Sequence, residues 1–146
     1  MKRAAIVTAP VDPAKLIAEV QSNELGAISL FVGTVRDTND GRNVVALDYS
    51  AYTAMAESEL AEIVAEAGER FDVPTIVVEH RTGPLQLGDV SVAIASASAH
   101  REPAIECTRF VIEEIKRRVP IWKREHYTDG TREWVDPTRG SEVIAS

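Results

Sequence analysis

The sequence has little cysteine or histidine and no long apolar run, and each shortage excludes a class of protein. One cysteine, Cys107, cannot form an internal disulfide framework, and with three scattered histidines it gives no zinc-type spacing. We therefore expect no metal, and nothing in the sequence implies a cofactor. No apolar run approaches the roughly twenty residues of a membrane span, and the apolar stretch after Arg3 is too short for a signal peptide. We expect a cytoplasmic protein.

Cations are also in the minority, with 16 Lys and Arg against 23 Asp and Glu, a formal net charge of -7 and a pI near 5.0. This balance argues against broad electrostatic attachment to nucleic acid. The 146 residues, 45% apolar, are enough for one domain with its own core, and we expect a single domain over 1–146.

Five of the cations nevertheless stand within ten residues, Lys116 to Glu125, KRRVPIWKRE. Pro120 ends the amphipathic segment before it, because proline lacks a backbone donor and restricts the preceding residue to extended geometry. Lys116 and Lys123 then approach one small space from opposite sides of the turn, where paired lysines suit proton transfer or nucleophilic chemistry. The structural alternative is a solvated basic turn that caps a helix C-terminus.

Hydrophobic periodicity and turn signals predict a mixture of strands and helices. The predicted strands are 2–9, 26–36, 44–52, 90–99 and 134–135, and the predicted helices are 13–21, 53–71 and 102–118. Strands 26–36 and 44–52 are expected to form a hairpin around a mobile polar loop at 37–43. Gly33 predicts a bulge or a close backbone approach, and the small residues 95–99 predict close packing by a neighbouring element. Residues 136–146 are expected to form a flexible tail.

Basic residues fall at the ends of several predicted elements, where side chains can converge on one cleft. They are Arg36, His100, Arg101, Lys116, Lys123 and Arg124. Arginine suits phosphate, because its planar fork donates two bonds at once, and lysine suits proton transfer. Taken singly, each arginine is more often a surface ion-pair former, and Cys107, inside the amphipathic helix, is more often a packed thiol than a nucleophile.

Several ordered blocks resemble the catalytic, large-subunit family of molybdopterin synthase, the MoaE family. They are FVGTVR at 31–36, LDYSAYTAMA at 47–56, EHRTGPLQLGDVSV at 79–92, SAHRE at 98–102 and PIWKRE at 120–125. The resemblance implies an α+β fold with a mixed or antiparallel sheet, an α/β-hammerhead part and an additional β subdomain. It also implies a sulfurtransferase that converts cyclic pyranopterin monophosphate into the molybdopterin dithiolene.

The resemblance also implies site residues, carried over by motif. Lys116 and Lys123 match the family's two active-site lysines, and Phe31 occupies a position near the site. The implied substrate-binding residues are Thr34, Val35, Arg36, His100, Arg101, Lys116, Lys123, Arg124 and Glu125. Arg139, in a poorly matched tail, is assigned no role.

In this family, sulfur comes from the C-terminal thiocarboxylate of a small ubiquitin-like partner that ends in Gly-Gly. The chain ends in Ile144-Ala145-Ser146, so we expect the carrier to be a separate protein. The implied assembly is a heterotetramer with a central homodimer of this chain. Two rival interpretations stay open: a non-catalytic phosphate-binding scaffold, and a nucleic-acid-binding module that uses the basic turn at 116–124.

Overall fold

A computed structural model describes residues 1–135 and shows an α+β architecture, as the sequence predicts. The three helices of this part are α1 (Pro13–Val20), α2 (Thr53–Phe71) and α3 (Arg101–Arg118). The strands are β1 (Lys2–Val7), β2 (Ala27–Thr34), β3 (Thr38–Asn39), β4 (Arg42–Ala51), β5 (Thr75–Arg81), β6 (Gly83–Gln86), β7 (Val90–Ser98), β8 (Ile121–Tyr127) and β9 (Arg132–Val135).

The first sheet has four strands in the order β1-β5-β7-β2, with β1 parallel to β5 and the other pairs antiparallel. Helices α2 and α3 cover one face with apolar side chains at helical spacing, among them Leu60, Ile63 and Val111. Helix α1 covers the other face, where Leu16 and Val20 pack on alanines of β7. The small side chains of β7 therefore admit α1 closely, as predicted.

The second sheet contains β3, β4, β8 and β9 in that order, with β6 paired to β4. The predicted hairpin of 26–36 with 44–52 is wrong, because β2 pairs with β7 and β4 pairs with β8 and β6. The expected loop at 37–43 is largely taken up by a short hairpin of β3 and β4. Its turn residues Asp40 and Gly41 have φ of 53° and 77°, the left-handed geometry that an Asp-Gly turn favours.

Gly33 lies at a register shift in the β2–β7 pairing, so the predicted bulge is confirmed. A Cβ atom there would lie 2.9 Å from Cγ1 of Val92, which leaves no space for a side chain. After the bulge, Thr34 still pairs with Val90 of β7, and Val35 packs into the core of the second sheet.

Arg118, in the last turn of α3, holds that end of the helix against α2. Its guanidinium donates to Glu59 at 2.8 Å and lies 2.7 Å from Glu66 and 3.4 Å from Glu114. The next residue, Val119, leaves helical geometry, with ψ of 128°, and Pro120 follows. The chain turns there and enters β8 of the second sheet.

Candidate active site

A cavity of about 520 Å³ lies where the first sheet, the C-terminal end of α3 and the second sheet meet. Residues of β2, β4, β5, β7, α3 and β8 line it. Of the predicted site residues, the lining includes Phe31, Thr34, Val35, Arg36, Lys116, Lys123 and Glu125. The structure therefore brings most of the basic and motif residues to one concave site.

Lys116 and Lys123 both line this cavity, one from the last turn of α3 and the other from β8. The turn at Pro120 separates them in sequence and returns the chain to the same space, as the sequence predicts. Lys116 is exposed at the helix end, whereas the side chain of Lys123 retains 21% of its exposure. One lysine is thus open to solvent and the other is enclosed.

The segment after the Gly33 bulge supplies the third cation of the cavity, Arg36. Val35 anchors the segment, because its side chain is buried in the core of the second sheet. Its backbone N–H donates to the Asp89 carbonyl at 3.0 Å, and its own carbonyl accepts from Gly88 at 2.8 Å. With Val35 fixed in this way, Thr34 and Arg36 remain exposed on either side of it.

One carboxylate, Glu125, lies among these cations and is only 3% exposed. Its Oε2 accepts a hydrogen bond from Nδ2 of Asn39 at 2.7 Å and lies 3.5 Å from Nζ of Lys123. Its Oε1 accepts from the Tyr127 hydroxyl at 2.9 Å. Burial and this hydrogen bond raise the pKa of Tyr127 to about 12, which keeps the phenol protonated as a donor.

Two polar residues that line the cavity, His80 and Tyr49, are uncharged near pH 7. His80 is buried, and burial lowers its pKa from the ordinary 6.5 to about 4, so its ring is neutral near pH 7. Its Nδ1 lies 2.9 Å from the Arg81 carbonyl, which makes Nδ1 the protonated nitrogen. Tyr49 packs edge-on against this ring at 5.1 Å, and burial raises the pKa of its phenol.

Arg124 does not reach the cavity, because neighbouring residues of a strand point to opposite faces. In the β4–β8 register, Lys123 is opposite Tyr49 and Glu125 is opposite Leu47, and all four line the cavity. Arg124 instead donates to Asp48 at 3.3 Å, and its guanidinium lies 5.0 Å from the Trp134 ring.

His100 and Arg101 also lie away from the cavity within one chain. Arg101 is the first residue of α3, and Lys116 comes fifteen residues later near its end, a separation of about 22 Å at 1.5 Å per residue. Both residues of the pair are exposed. The predicted convergence of His100 and Arg101 with the two lysines is therefore absent from the single chain.

Sequence reasoning missed four polar residues of the cavity, which are Asn39, Tyr49, His80 and Ser91. The Asp40-Gly41 dipeptide is a hairpin signal and would have placed Asn39 at the start of a tight turn instead of in a loose loop. His80 stood within a quoted motif, but its contact with Tyr49 depends on the meeting of two sheets. Local sequence carries no signal for that contact.

Comparison with known proteins identifies the family of this chain. The family profile described as MoaE protein matches residues 6–118. The molybdopterin synthase catalytic subunit of Bacillus subtilis (strain 168) is 41% identical over 135 residues, which is 92% of this chain and 85% of that protein. The chain belongs to the MoaE family.

Solved structures agree with this membership of the MoaE family. The crystal structure of molybdopterin synthase from Staphylococcus aureus is 37% identical, has a TM-score of 0.85 and is matched over 90% of this chain and 95% of that one. A complex of subunits 1 and 2 of molybdopterin-converting factor from Helicobacter pylori is 25% identical, with a TM-score of 0.72 over 90% of this chain and 89% of that one.

Residues 1–135 contain no cluster of three or more His, Cys, Asp or Glu side chains arranged to hold a metal ion. Within the same residues, no helix is long and apolar enough to cross a membrane. Arg139 and the tail at 136–146 lie outside the described residues.

The neutral state of His80 predicts that acid weakens the fold. Its pKa is about 4 in the folded chain and near 6.5 when unfolded, so the unfolded chain binds an extra proton between these values. The neutral imidazole of His80 therefore makes its full contribution to the free energy of unfolding above pH about 6.5. This contribution, about 3 kcal/mol in all, is lost as the pH falls toward about 4. Urea unfolding across this range should show a smaller loss for His80→Gln than for the wild type.

The exposed His100 provides the matched control, because His100→Gln removes a histidine without removing a buried ring. Its curve of unfolding free energy against pH should parallel that of the wild type. Parallel curves for wild type and His80→Gln would contradict the assignment of a neutral buried imidazole.

Proposed function

We propose that this chain is the catalytic subunit of a molybdopterin synthase, which transfers sulfur to cyclic pyranopterin monophosphate and forms the dithiolene of molybdopterin. The observation that carries the proposal is the single cavity that gathers Arg36, Lys116 and Lys123. Three cations around one buried carboxylate suit a phosphorylated substrate, although the whole chain is acidic. The relatives that match most of this chain carry the same function in their names.

The sulfur donor in this proposal is the C-terminal thiocarboxylate of a small ubiquitin-like partner. Its sulfur attacks a side-chain carbon of the pterin and displaces an oxygen substituent, which joins the two molecules through a thioester; water then cleaves the acyl–sulfur bond, so the partner leaves as a carboxylate and the sulfur stays on the pterin. Two such transfers supply the dithiolene, and the cations of the cavity hold the phosphate and stabilise anionic intermediates. In this proposal Lys116, which is exposed at the end of α3, meets the incoming terminus. Lys123, which is partly buried beside Glu125, transfers a proton at the substrate in this proposal.

The basic segment 116–124 is not one continuous surface, which weighs against the nucleic-acid interpretation. Lys116 and Lys123 line the cavity, Arg118 binds glutamates of α2, and Arg124 binds Asp48 on the other face of the second sheet. Arg117 pairs with Glu114 at 3.0 Å. A polyanion would therefore meet separated cations, most of them already paired.

The proposed assembly is a homodimer of this chain with one small subunit at each end, in the cytoplasm. The structural similarity to a two-subunit complex from Helicobacter pylori supports a separate small partner. In the proposed dimer, His100 and Arg101 join the cavity of the second copy, since Arg101 lies about 22 Å from Lys116 of its own chain along α3 and both residues are exposed.

Lys116→Ala and Lys123→Ala should each lower synthase activity about 100-fold or more, because each removes a group that touches the reacting atoms. A lysine-to-arginine substitution should also abolish activity at the position that transfers protons, because arginine stays charged. The measurement is mass spectrometry of cyclic pyranopterin monophosphate incubated with each variant and a thiocarboxylated small partner.

Lys15→Ala is the matched control, because Lys15 is an exposed lysine of α1 outside the cavity. It should retain wild-type turnover. Near-normal turnover in a folded Lys116→Ala or Lys123→Ala variant would remove that lysine from the mechanism, and a wild type that binds substrate and partner without forming product would favour the scaffold interpretation.

Cys107 should not carry the sulfur, and Cys107→Ser should stay active. The thiol is fully buried in α3, and burial raises its pKa to about 11, so it lacks the thiolate that sulfur chemistry requires. The serine hydroxyl should cost about 1–3 kcal/mol of stability at this site. Product should still require the thiocarboxylated partner; a folded serine variant that binds the partner yet forms no product would place Cys107 in the mechanism.

Sites shared between two copies should show complementation. Arg101→Ala and Lys116→Ala should each be inactive alone, because each damages both sites of its homodimer. A mixed dimer of the two variants has one site with Lys116 from one copy and Arg101 from the other, so about half of the wild-type activity should return. Purification with two different tags isolates the mixed dimer, and an inactive mixed dimer would show that Arg101 does not act across the interface.

A further inference from the structure

Glu125 presents a chemical problem in a cavity that would bind an anion. A buried carboxylate is costly unless donors surround it, and beside a phosphate it would repel the substrate. Both of its oxygens are occupied, by Asn39 at 2.7 Å, by Tyr127 at 2.9 Å and by Lys123 at 3.5 Å. The carboxylate of Glu125 therefore interacts with donor groups of the protein and not with the substrate.

Asn39 connects this carboxylate to Arg36, the cavity cation three residues before it in the chain. Its Nδ2 donates to Glu125, and its Oδ1 accepts from Nη2 of Arg36 at 3.3 Å. An amide can do both at once, whereas a carboxylate has no donor and a hydrocarbon has neither group. The side chain is half-buried and lines the cavity.

The backbone around Asn39 is built to hold it there. Asn39 ends β3 and pairs with Arg42 across the two-residue turn of Asp40 and Gly41. Arg42 in turn lies over the Tyr127 ring at 3.5 Å, which ties the hairpin to β8. The turn therefore fixes the position of the amide relative to β8.

We propose that Asn39 is a positioning residue for the sulfur-transfer site, an inference that rests on the proposed function. It holds Arg36 at the mouth of the cavity and fixes Glu125, which orients Lys123. In this arrangement Glu125 is the internal counter-charge of Lys123 and does not itself bind the substrate. The anion-binding arginine and the enclosed lysine are thus set in position by one amide.

A double-mutant cycle tests this bridge. Asn39→Asp places a second carboxylate against Glu125, which should displace Arg36 and raise both the substrate Kd and KM by about tenfold or more. In the combination of Asn39→Asp with Glu125→Gln, the polarity of the bond is reversed. The amide at 125 donates to the carboxylate at 39, which still accepts from Arg36, so Kd and KM should recover to within about threefold of the wild type.

In this cycle, kcat and KM should respond differently to the substitutions. Any variant with Glu125→Gln lacks the carboxylate beside Lys123, so kcat should stay low even where KM recovers. A purely structural role for Asn39 would change the unfolding free energy without this split. Asn39→Ala, which adds no charge, should raise KM as well and keeps the test available if Asn39→Asp fails to fold.

Asn43→Asp is the matched control, because Asn43 is an exposed asparagine of the same hairpin, opposite Thr38. It makes the same change of charge outside the cavity and should leave Kd and KM unchanged. Calorimetric titration with cyclic pyranopterin monophosphate alone gives Kd without the partner, so binding is measured separately from sulfur transfer.

The two proposals fail in different ways. The positioning role would be overturned if Asn39→Asp bound the substrate with the wild-type Kd, or if the double variant bound it no more tightly than the single variants. The wild-type enzyme would remain active in either case. A wild type that binds substrate but forms no product with the thiocarboxylated partner would overturn the function, and the Kd series would still show whether Asn39 positions Arg36.

Discussion

The end of α3 is the constraint on which the rest of the site depends. Pro120 forces the chain out of helical geometry at Val119, and Arg118 holds the last turn against the glutamates of α2. Because the helix stops there, β8 can pair antiparallel with β4 and form the wall of the cavity opposite α3. A helix that continued past Val119 would carry Lys123 away from Lys116 and leave no cavity between the two sheets.

Much of the fold follows from local sequence. The bounds of α2 were predicted to the residue, and the ends of α1 and α3 to within one or two, because Asp12, Pro13 and Pro120 act on their own neighbours. The pairing of strands was not predictable in the same way. Strands 26–36 and 44–52 are adjacent in sequence, yet each pairs with a more distant strand, because burial on two different sheets outweighs short loop closure.

In the candidate site, too, some features follow from local sequence and others depend on strand pairing. The cations were predicted from residue types and element ends, and Lys116 and Lys123 do meet at one cavity. Side chains alternate between the two faces of β8, however, so Arg124 lies on the opposite face from Lys123. Which face of β8 lines the cavity is known only from its register with β4. His80 was missed because its contact with Tyr49 joins the two sheets, which local patterns do not encode. Asn39 was missed because its bond to Glu125 depends on the pairing of β3, β4 and β8 within the second sheet.

The charged groups of the cavity differ in exposure, and the difference has a physical reason. Charges near the opening remain partly hydrated, so Arg36 and Lys116 can attract an anion without a large desolvation cost. Among the less exposed lining residues, His80 and Tyr49 are uncharged, and Glu125 accepts hydrogen bonds from Asn39 and Tyr127 beside Lys123. An anion is therefore attracted most where Arg36 and Lys116 are exposed, and His80 and Tyr49 can bind an uncharged polar group without an opposing charge.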